Sequence, residues 1–303
     1  MTAPTTITFG GFDEAEMLHV LERACTQAGL DSTGAIRLRG HTNAVVRLIT
    51  ESVVVKIARR GSDEAAVAKT TAFVQWLMGQ DFPTVPLHPV PEQPVVVDGQ
   101  AVTFWRYLPQ PEHPVSAAQL AGPLRALHCL TNPPVTLNPL NVVDAIRNSL
   151  TKTTSLSQHT LRFLAERVER LADELSQVRF ILPASVVQGD PQHRNALHTE
   201  DGQAVLCDWD TVAYDQPEWD LVTVEIHCRR FGHGLAHYDQ FATVYGVDIS
   251  QWPGYRVLRD LRELRMITTN ARKVAHAPGT LAEVERRIAG LRDEDAELSW
   301  SIL

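Results

Sequence analysis

Only four cysteines occur in the 303 residues, Cys25, Cys129, Cys207 and Cys228, and no two are close in sequence. Neither a disulfide framework nor a zinc-binding repeat is indicated. No run of ~18 apolar residues is present to span a membrane. The stretch "MTAPTTITFGGFDEAEM" has no basic segment followed by an apolar one, so no secretory leader is expected. The expectation is a reducing, cytoplasmic setting. Positive charge is not in excess. Twenty-eight Lys and Arg stand against thirty-six Asp and Glu, a net charge of −8, which argues against a nucleic-acid partner, whose phosphates require a clustered basic surface. The twelve histidines form no H-E-x-x-H or other ligand spacing. No G-x-S-x-G elbow is found, so serine-hydrolase chemistry lacks its usual signature.

The chain is longer than one typical core, which sets two domains as the expectation. Apolar residues at 44% and charged residues at 21% are those of a soluble globular protein. "FDEAEMLHVLERACTQAGL" (12–30) spaces Met17, Val20, Leu21 and Ala24 as one helix face, with Gly29 suited to its end. "AIRLRG", "AVVRLI" and "SVVVKIA" (35–58) then read as consecutive antiparallel strands. A helix over 62–79 follows, and next a hairpin, 93–108, turning at Asp98-Gly99. Helical patterns dominate after "PQPEHP" (109–114), apart from a small β element near 186–208. The reading is an N-terminal lobe, residues 1–107, joined to a mainly helical lobe, residues 108–303.

The most informative stretch is "QGDPQHRNALHTEDGQAVLCDWD" (188–210). Asp201-Gly202 is a favoured two-residue hairpin turn. With Glu200 opposite Gln203, Asn195 falls opposite Asp208, and directly opposed residues sit about 4.5–5.5 Å apart. One amide oxygen and one carboxylate would then meet a single cation. So sparse an oxygen set suits Mg²⁺, which keeps waters and completes its shell with substrate phosphates. Asp190 enters the same end, as a hydroxyl nucleophile requires of the carboxylate that orients it.

"GDPQHRN" followed by "LCDWD" resembles the catalytic segment of the aminoglycoside phosphotransferase and choline kinase-like enzymes. The resemblance implies an α+β, bilobal, protein-kinase-like fold. Its N-terminal lobe would be an antiparallel sheet with one helix, and its larger lobe mainly helical. It also implies Asp190 as catalytic base and Asn195 and Asp208 as Mg²⁺ ligands. "YDQPEWDL" (214–221) resembles the family's G-D-P-x-W-D-L element, in which Asp220 would brace the catalytic loop through its backbone. Gln188 stands where the family usually has His.

On the nucleotide side, Lys56 lies within an apolar strand run, where an unpaired ammonium would be costly to bury. It fits the family's phosphate-binding lysine. The family often carries a glutamate on the next helix; here that position reads "AKTTAF", and Glu64 is the remaining choice. "RGHTNA" (39–44) is not a G-x-G-x-x-G loop but resembles the family's phosphate-approaching turn, with Gly40, Thr42 and Asn43 as the contacts implied. "FWRYL" (104–108), with Trp105 and Tyr107, occupies the position whose backbone would meet the adenine.

Acceptor-side candidates are Asp210, Glu218, Glu225, Asp260 and Glu263, carboxylates that would suit an amine-bearing acceptor; the competing account is a solvated helix face laced with Arg–Glu pairs. Trp209, Trp219 and Trp252 read either as core or as a cation-binding surface. His193 reads as part of the loop's own structure, and His128 as packing. The resulting expectation is a phosphotransferase dependent on ATP (or GTP) and Mg²⁺ that acts on a small-molecule hydroxyl, with no membrane or nucleic-acid partner. Two alternatives stay open: a metabolic kinase for choline, a sugar or an amino-acid hydroxyl, and a catalytically silent nucleotide-binding protein.

Overall fold

The computed structural model describes residues 13–40 and 43–303. In chain order the elements are α1 (Glu14–Ala28), β1 (Ile36–Gly40), β2 (Ala44–Arg47), β3 (Val53–Ile57), α2 (Glu64–Gly79), β4 (Val95–Val97) and β5 (Gln100–Arg106). There follow α3 (Ala117–His128), α4 (Val142–Thr151), α5 (Gln158–Leu175), β6 (Ser185–Val187), β7 (Ala196–His198), β8 (Ala204–Leu206) and β9 (Ala213–Asp215). Four helices complete the chain: α6 (Glu218–Arg230), α7 (Leu235–Tyr245), α8 (Tyr255–Lys273) and α9 (Leu281–Arg292).

The chain forms two compact units. One comprises the chain up to Glu112 with Pro133–Thr136 and Leu197–Asp210; the other holds His113–Asn132, Leu137–Ala196 and Thr211–Leu303. The single boundary expected at 107/108 assigns Leu197–Asp210 to the second lobe, whereas its packing is in the first. Trp209 explains this: it is 1% exposed, meets Phe73 of α2 edge-on at 5.5 Å and donates its indole N–H to Thr84 Oγ1 at 2.9 Å.

The first unit is built on a five-stranded antiparallel sheet in the order β1-β2-β3-β5-β4. Strand β3 alternates, with Val53, Val55 and Ile57 buried while Val54 and Lys56 face the other way. The buried face packs against Met17, Val20, Leu21, Ala24 and Cys25 of α1, each large apolar side chain contributing roughly 1.5–3 kcal/mol on burial. The unit carries two helices, α1 and α2, as the patterns over 12–30 and 62–79 predict; the resemblance implied one. Asp13 caps α1 by accepting the Ala15 N–H at 2.8 Å, and Gly29 ends it at φ 73, a left-handed conformation that costs glycine little. Asp98-Gly99 forms the expected two-residue turn: Val97 pairs with Gln100, and both turn residues have positive φ, 50 and 75.

In the second unit, β6 pairs antiparallel with β9, Ser185 opposite Asp215 and Val187 opposite Ala213. The core gathers Ile146, Leu164, Val168, Leu171, Trp219, Leu261, Leu264, Ile267, Val284 and Ile288. Helix α6 is buried almost end to end, so its charged residues must find partners within the fold. Among the described residues, no helix is long and apolar enough to cross a membrane. Together these features make an α+β, protein-kinase-like fold with an antiparallel-sheet N-lobe and a helical C-lobe.

Candidate active site

The first unit brings Lys56, Asp208 and Asp210 together. Lys56 Nζ donates to Asp208 Oδ1 and to Asp210 Oδ2, each at 2.9 Å. Asn43 Nδ2 donates to the same Asp210 oxygen at 3.1 Å. Burial works against the Lys56 charge, but the two carboxylates outweigh it and hold the ammonium above its ordinary range. Its carboxylate partners are thus Asp208 and Asp210, not Glu64, which sits in the first turn of α2. Asp210, an acceptor candidate by sequence, is engaged with the lysine. Asp208 adopts φ 58, a left-handed conformation that Asp tolerates better than most residues. Gly40 ends β1 opposite Ala44, and Thr42 lies outside the described residues.

A cavity of about 210 Å³ in this unit is lined by Lys56, Thr103, Trp105, Ser62, Asp63 and Thr70 among others. Trp105 donates its indole N–H to Thr103 Oγ1 at 2.8 Å. At Tyr107 the N–H donates to the Ser52 carbonyl at 2.8 Å, and the ring lies under the Arg47 guanidinium at 3.9 Å.

The turn at Asp201-Gly202 requires a correction. Thr199 N–H donates to the Gln203 carbonyl and Gly202 N–H to the Thr199 carbonyl, both at 2.9 Å, with Gly202 at φ 78. This is a three-residue loop with glycine at its left-handed position. Thr199, not Glu200, partners Gln203, and the Thr199 hydroxyl secures the choice by accepting the Gln203 N–H at 3.0 Å. The two-residue turn from which Asn195 was set opposite Asp208 is therefore not formed.

In the second unit the loop carrying Asp190 is held from several sides. Asp220, fully buried, accepts the Gln188 N–H at 2.7 Å and the Gly189 N–H at 2.8 Å. Its Oδ2 also meets His128 Nε2 at 3.1 Å, and His128 Nδ1 meets the Tyr245 hydroxyl at 2.8 Å. Gln188 accepts the Asp190 N–H on its side-chain oxygen at 2.6 Å, so this departure from the family's usual residue still braces the loop. Gly189 has φ 86; a Cβ there would collide with the Thr211 carbonyl and lie 3.1 Å from Leu140 Cδ2.

Asp190 itself pairs with Arg262 of α8 through Oδ1. Its Oδ2 accepts from Gln192 Nε2 at 2.9 Å and more weakly from Asn195 Nδ2 at 3.4 Å. Asn195 Nδ2 also donates to the Asp190 carbonyl at 2.9 Å, which fixes the amide's orientation. Arg262, within "LRDLRELRM", is not among the residues predicted from sequence: nothing local sets it apart from its neighbouring arginines. His193 is buried between His233 and His237, with centroids at 4.1 and 5.4 Å. Burial, and then those two rings, push its pKa down to about 3. One ring nitrogen of each lies within 4.8 Å of the others, but near-parallel planes, 15° to 19° apart, keep their in-plane lone pairs from converging on one ion.

The other acceptor candidates are not gathered at this loop. Glu218 is buried and accepts the Ile181 and Leu182 N–H groups at 2.6 and 2.9 Å. Glu225 pairs with Arg229 at 2.8 Å, and Glu263 with Arg229 and Arg230, both at 2.8 Å. Asp260 pairs with Arg167 at 3.3 Å and Arg259 at 2.7 Å. Arg–Glu pairing is thus right for these helices, but the pairs are buried, not solvated. Trp209, Trp219 and Trp252 are buried as well, so they form no cation-binding surface.

A model of the phosphotransferase enzyme family matches residues 35–261. No curated protein sequence matches the chain. Among solved structures, the amicoumacin kinase hAmiN, in complex with AMP-PNP, Ca²⁺ and Ami, superposes with a TM-score of 0.73 at 13% identity over 96% of each chain. A choline/ethanolamine kinase family protein from Mesorhizobium loti gives 0.66 at 16% identity, over 90% of this chain and 94% of that one. The aminoglycoside phosphotransferase APH(3'')-Id from Streptomyces rimosus gives 0.59 at 20%, over 84% and 99%. These similarities establish the fold, and the family model spans most of the length. The chain belongs to the phosphotransferase enzyme family.

Proposed function

We propose that the protein transfers the γ-phosphoryl group of ATP or GTP to a hydroxyl of a small molecule, with Mg²⁺ as the metal. The observation that carries this reading is the cluster of Lys56 with Asp208 and Asp210. It places one cation suited to phosphate beside two carboxylates suited to a hard divalent ion. Both carboxylates are about half exposed, at 46% and 49%, so they are open to exchange the ammonium for other ligands. Asp208 would supply a protein ligand to the ion, which when bound offsets charge on the phosphate oxygens; Asn195 is a second ligand by the resemblance of its motif alone. Lys56 offsets charge on the triphosphate. The cavity beside Lys56 and Trp105 suits part of the nucleotide, and nucleotide complexes of similar folds support its presence.

Asp190 orients the acceptor hydroxyl and takes its proton. Arg262 and Gln192 fix the direction in which its carboxylate points. Asp220 fixes the backbone just before it. Catalysis in this account is positioning plus charge stabilisation. Two features favoured a silent nucleotide-binding protein, the absent helix glutamate and Gln188. Both lose that force, since Lys56 has two other carboxylates and Gln188 braces Asp190.

Calorimetric titration of ATP and GTP, with and without Mg²⁺, tests the nucleotide half of this reading. Binding that requires Mg²⁺ in the wild type and loses that dependence in Asp208→Ala is the expected result. Absence of nucleotide binding, or binding indifferent to both Mg²⁺ and Asp208, would contradict it.

A further inference from the structure

Helix α8 gathers three arginines on the side that meets Asp190. Arg262, Arg265 and Arg272 recur at intervals of three and seven residues, which keeps them on one face of a helix, with Thr269 between the last two. The first of them touches the base: Arg262 Nη2 donates to Asp190 Oδ1. Less than one turn on, Arg265 is fixed through Nη1, which donates to Thr269 Oγ1 at 2.8 Å, Ser149 Oγ at 3.2 Å and the Ala145 carbonyl at 3.4 Å. All three of these acceptors are uncharged.

The carboxylates of the same helix do not offset this charge. Asp260 is bonded to Arg167 and Arg259, and Glu263 to Arg229 and Arg230. Among the described residues, the only ion pair made by the three arginines is that of Arg262 with Asp190. Donors are in surplus as well, since the buried Arg262 Nε has no hydrogen-bond partner. Arg265 is half-buried, where a charge is costly unless matched. Burial, and then the like charges of Arg262 and Arg272, lower its pKa, while Asp190 opposes them. A guanidinium stays protonated even so. The stripe therefore carries more positive charge than Asp190 balances, and the surplus stands beside the base.

We propose that the acceptor is an anionic alcohol, one bearing a carboxylate or a phosphate near its hydroxyl, with Arg265 and Arg272 holding the anion while the hydroxyl meets Asp190. This rests on the phosphotransferase reading with Asp190 as base. A planar guanidinium fork matches carboxylate and phosphate oxygens, and an anion at Arg265 supplies the partner that the fold does not. Arg262 has its own part in this: by pairing with Asp190 it reduces the repulsion that a second anion would meet at the base. In the reaction, the acceptor oxygen forms a bond to the γ-phosphorus as the bond to the β-phosphate oxygen breaks. The hydroxyl proton passes to Asp190 and the nucleoside diphosphate leaves, while the acceptor's anionic group stays unchanged on the arginines.

The test uses matched acceptors on the full chain: glycerate against glycerol, glucose 6-phosphate against glucose, and an aminoglycoside, kanamycin, as the cationic arm. Diphosphate release is measured with Mg²⁺ and ATP, and equilibrium binding with Mg²⁺ and a non-hydrolysable nucleotide, so that the nucleotide side is filled. The anionic member of at least one pair should exceed its neutral parent and kanamycin by about tenfold or more in kcat/KM, the discrimination of one charge-assisted hydrogen bond. Preference confined to the glycerate pair assigns the stripe to carboxylates, and preference confined to the glucose pair assigns it to phosphates. Arg265→Gln should raise the KM of the preferred anionic acceptor by about tenfold with nucleotide affinity unchanged. Arg272→Gln, at a half-buried side chain that forms no hydrogen bond among the described residues, should raise it in the same direction and serves where the first variant does not fold. A neutral parent or kanamycin used as well as both anionic probes, anionic probes that neither bind nor react, or folded variants that leave the anionic KM untouched would each overturn the proposal. Failure of the wild type to bind Mg²⁺ and nucleotide would instead sink the phosphotransferase reading beneath it.

Discussion

Replacing Asp220 with Asn should unsettle the whole loop that carries Asp190, although the side chain is fully enclosed in the fold. The carboxylate is fully buried and receives three hydrogen bonds, from the N–H groups of Gln188 and Gly189 and from His128. An amide is the same size but turns one acceptor into a donor. Whichever way it is placed, an NH₂ faces a backbone N–H. The loss is one charge-assisted hydrogen bond, about 1.5–3 kcal/mol, plus about 1–3 kcal/mol for a buried donor left unpaired. A total of about 2.5–6 kcal/mol brackets the ~3–5 kcal/mol cost of breaking a buried ionic contact. For a chain of this size that corresponds to a fall in Tm on the order of 10 °C, read by differential scanning calorimetry. Turnover should fall as well, because both amides adjoin Asp190. A Tm within about 2 °C of wild type would refute the bracing role assigned to Asp220.

Gly189→Ala should lower turnover at least tenfold and cost on the order of 1–3 kcal/mol, since its φ of 86 and the Thr211 carbonyl leave no room for a methyl; kinetics and thermal unfolding check both parts. Acid sensitivity should trace partly to Glu263. Burial opposes its charge, but Arg230 and Arg229 prevail and hold its pKa below the carboxylate range. A depressed folded pKa contributes stability that is complete above the unfolded value of about 4.3 and is lost as pH falls through the folded value. Glu263→Gln should therefore be less stable near pH 7 yet show a shallower fall in unfolding free energy below pH ~4, measured by urea titration across that range. Arg262→Gln should lower kcat with little change in nucleotide affinity, because it removes one of the two groups that aim Asp190; equal losses in both would contradict that assignment.

Much of the scaffold was legible because its signals are local. The alternation of "SVVVKIA", the Asp98-Gly99 turn and the glycine after α1 each set backbone geometry within a few residues. The order of motifs likewise singled out Asp190, Lys56 and Asp208, and the structure joins Lys56 to Asp208. What failed was what local pattern does not encode. Asp-Gly serves both two- and three-residue hairpin loops, and the decision here falls to the Thr199 hydroxyl, which satisfies the Gln203 amide. Lys56 takes its partners 152 and 154 residues away, beyond the reach of the following helix, which offers only Glu64. Arg262 contacts Asp190 across 72 residues. The carboxylates of α6 and α8 looked surface-bound because charge usually is; burial on nearly every side of α6 could not be read from a helix without an apolar stripe.

The account turns on Asp190 as the group that handles the acceptor's proton. Its most direct test is single-turnover phosphoryl transfer by Asp190→Asn beside wild type, with Mg²⁺–nucleotide affinity measured on the same samples. Transfer slowed by about 10²–10⁴-fold, with nucleotide affinity within about twofold, is the predicted result. Transfer at the wild-type rate would contradict it.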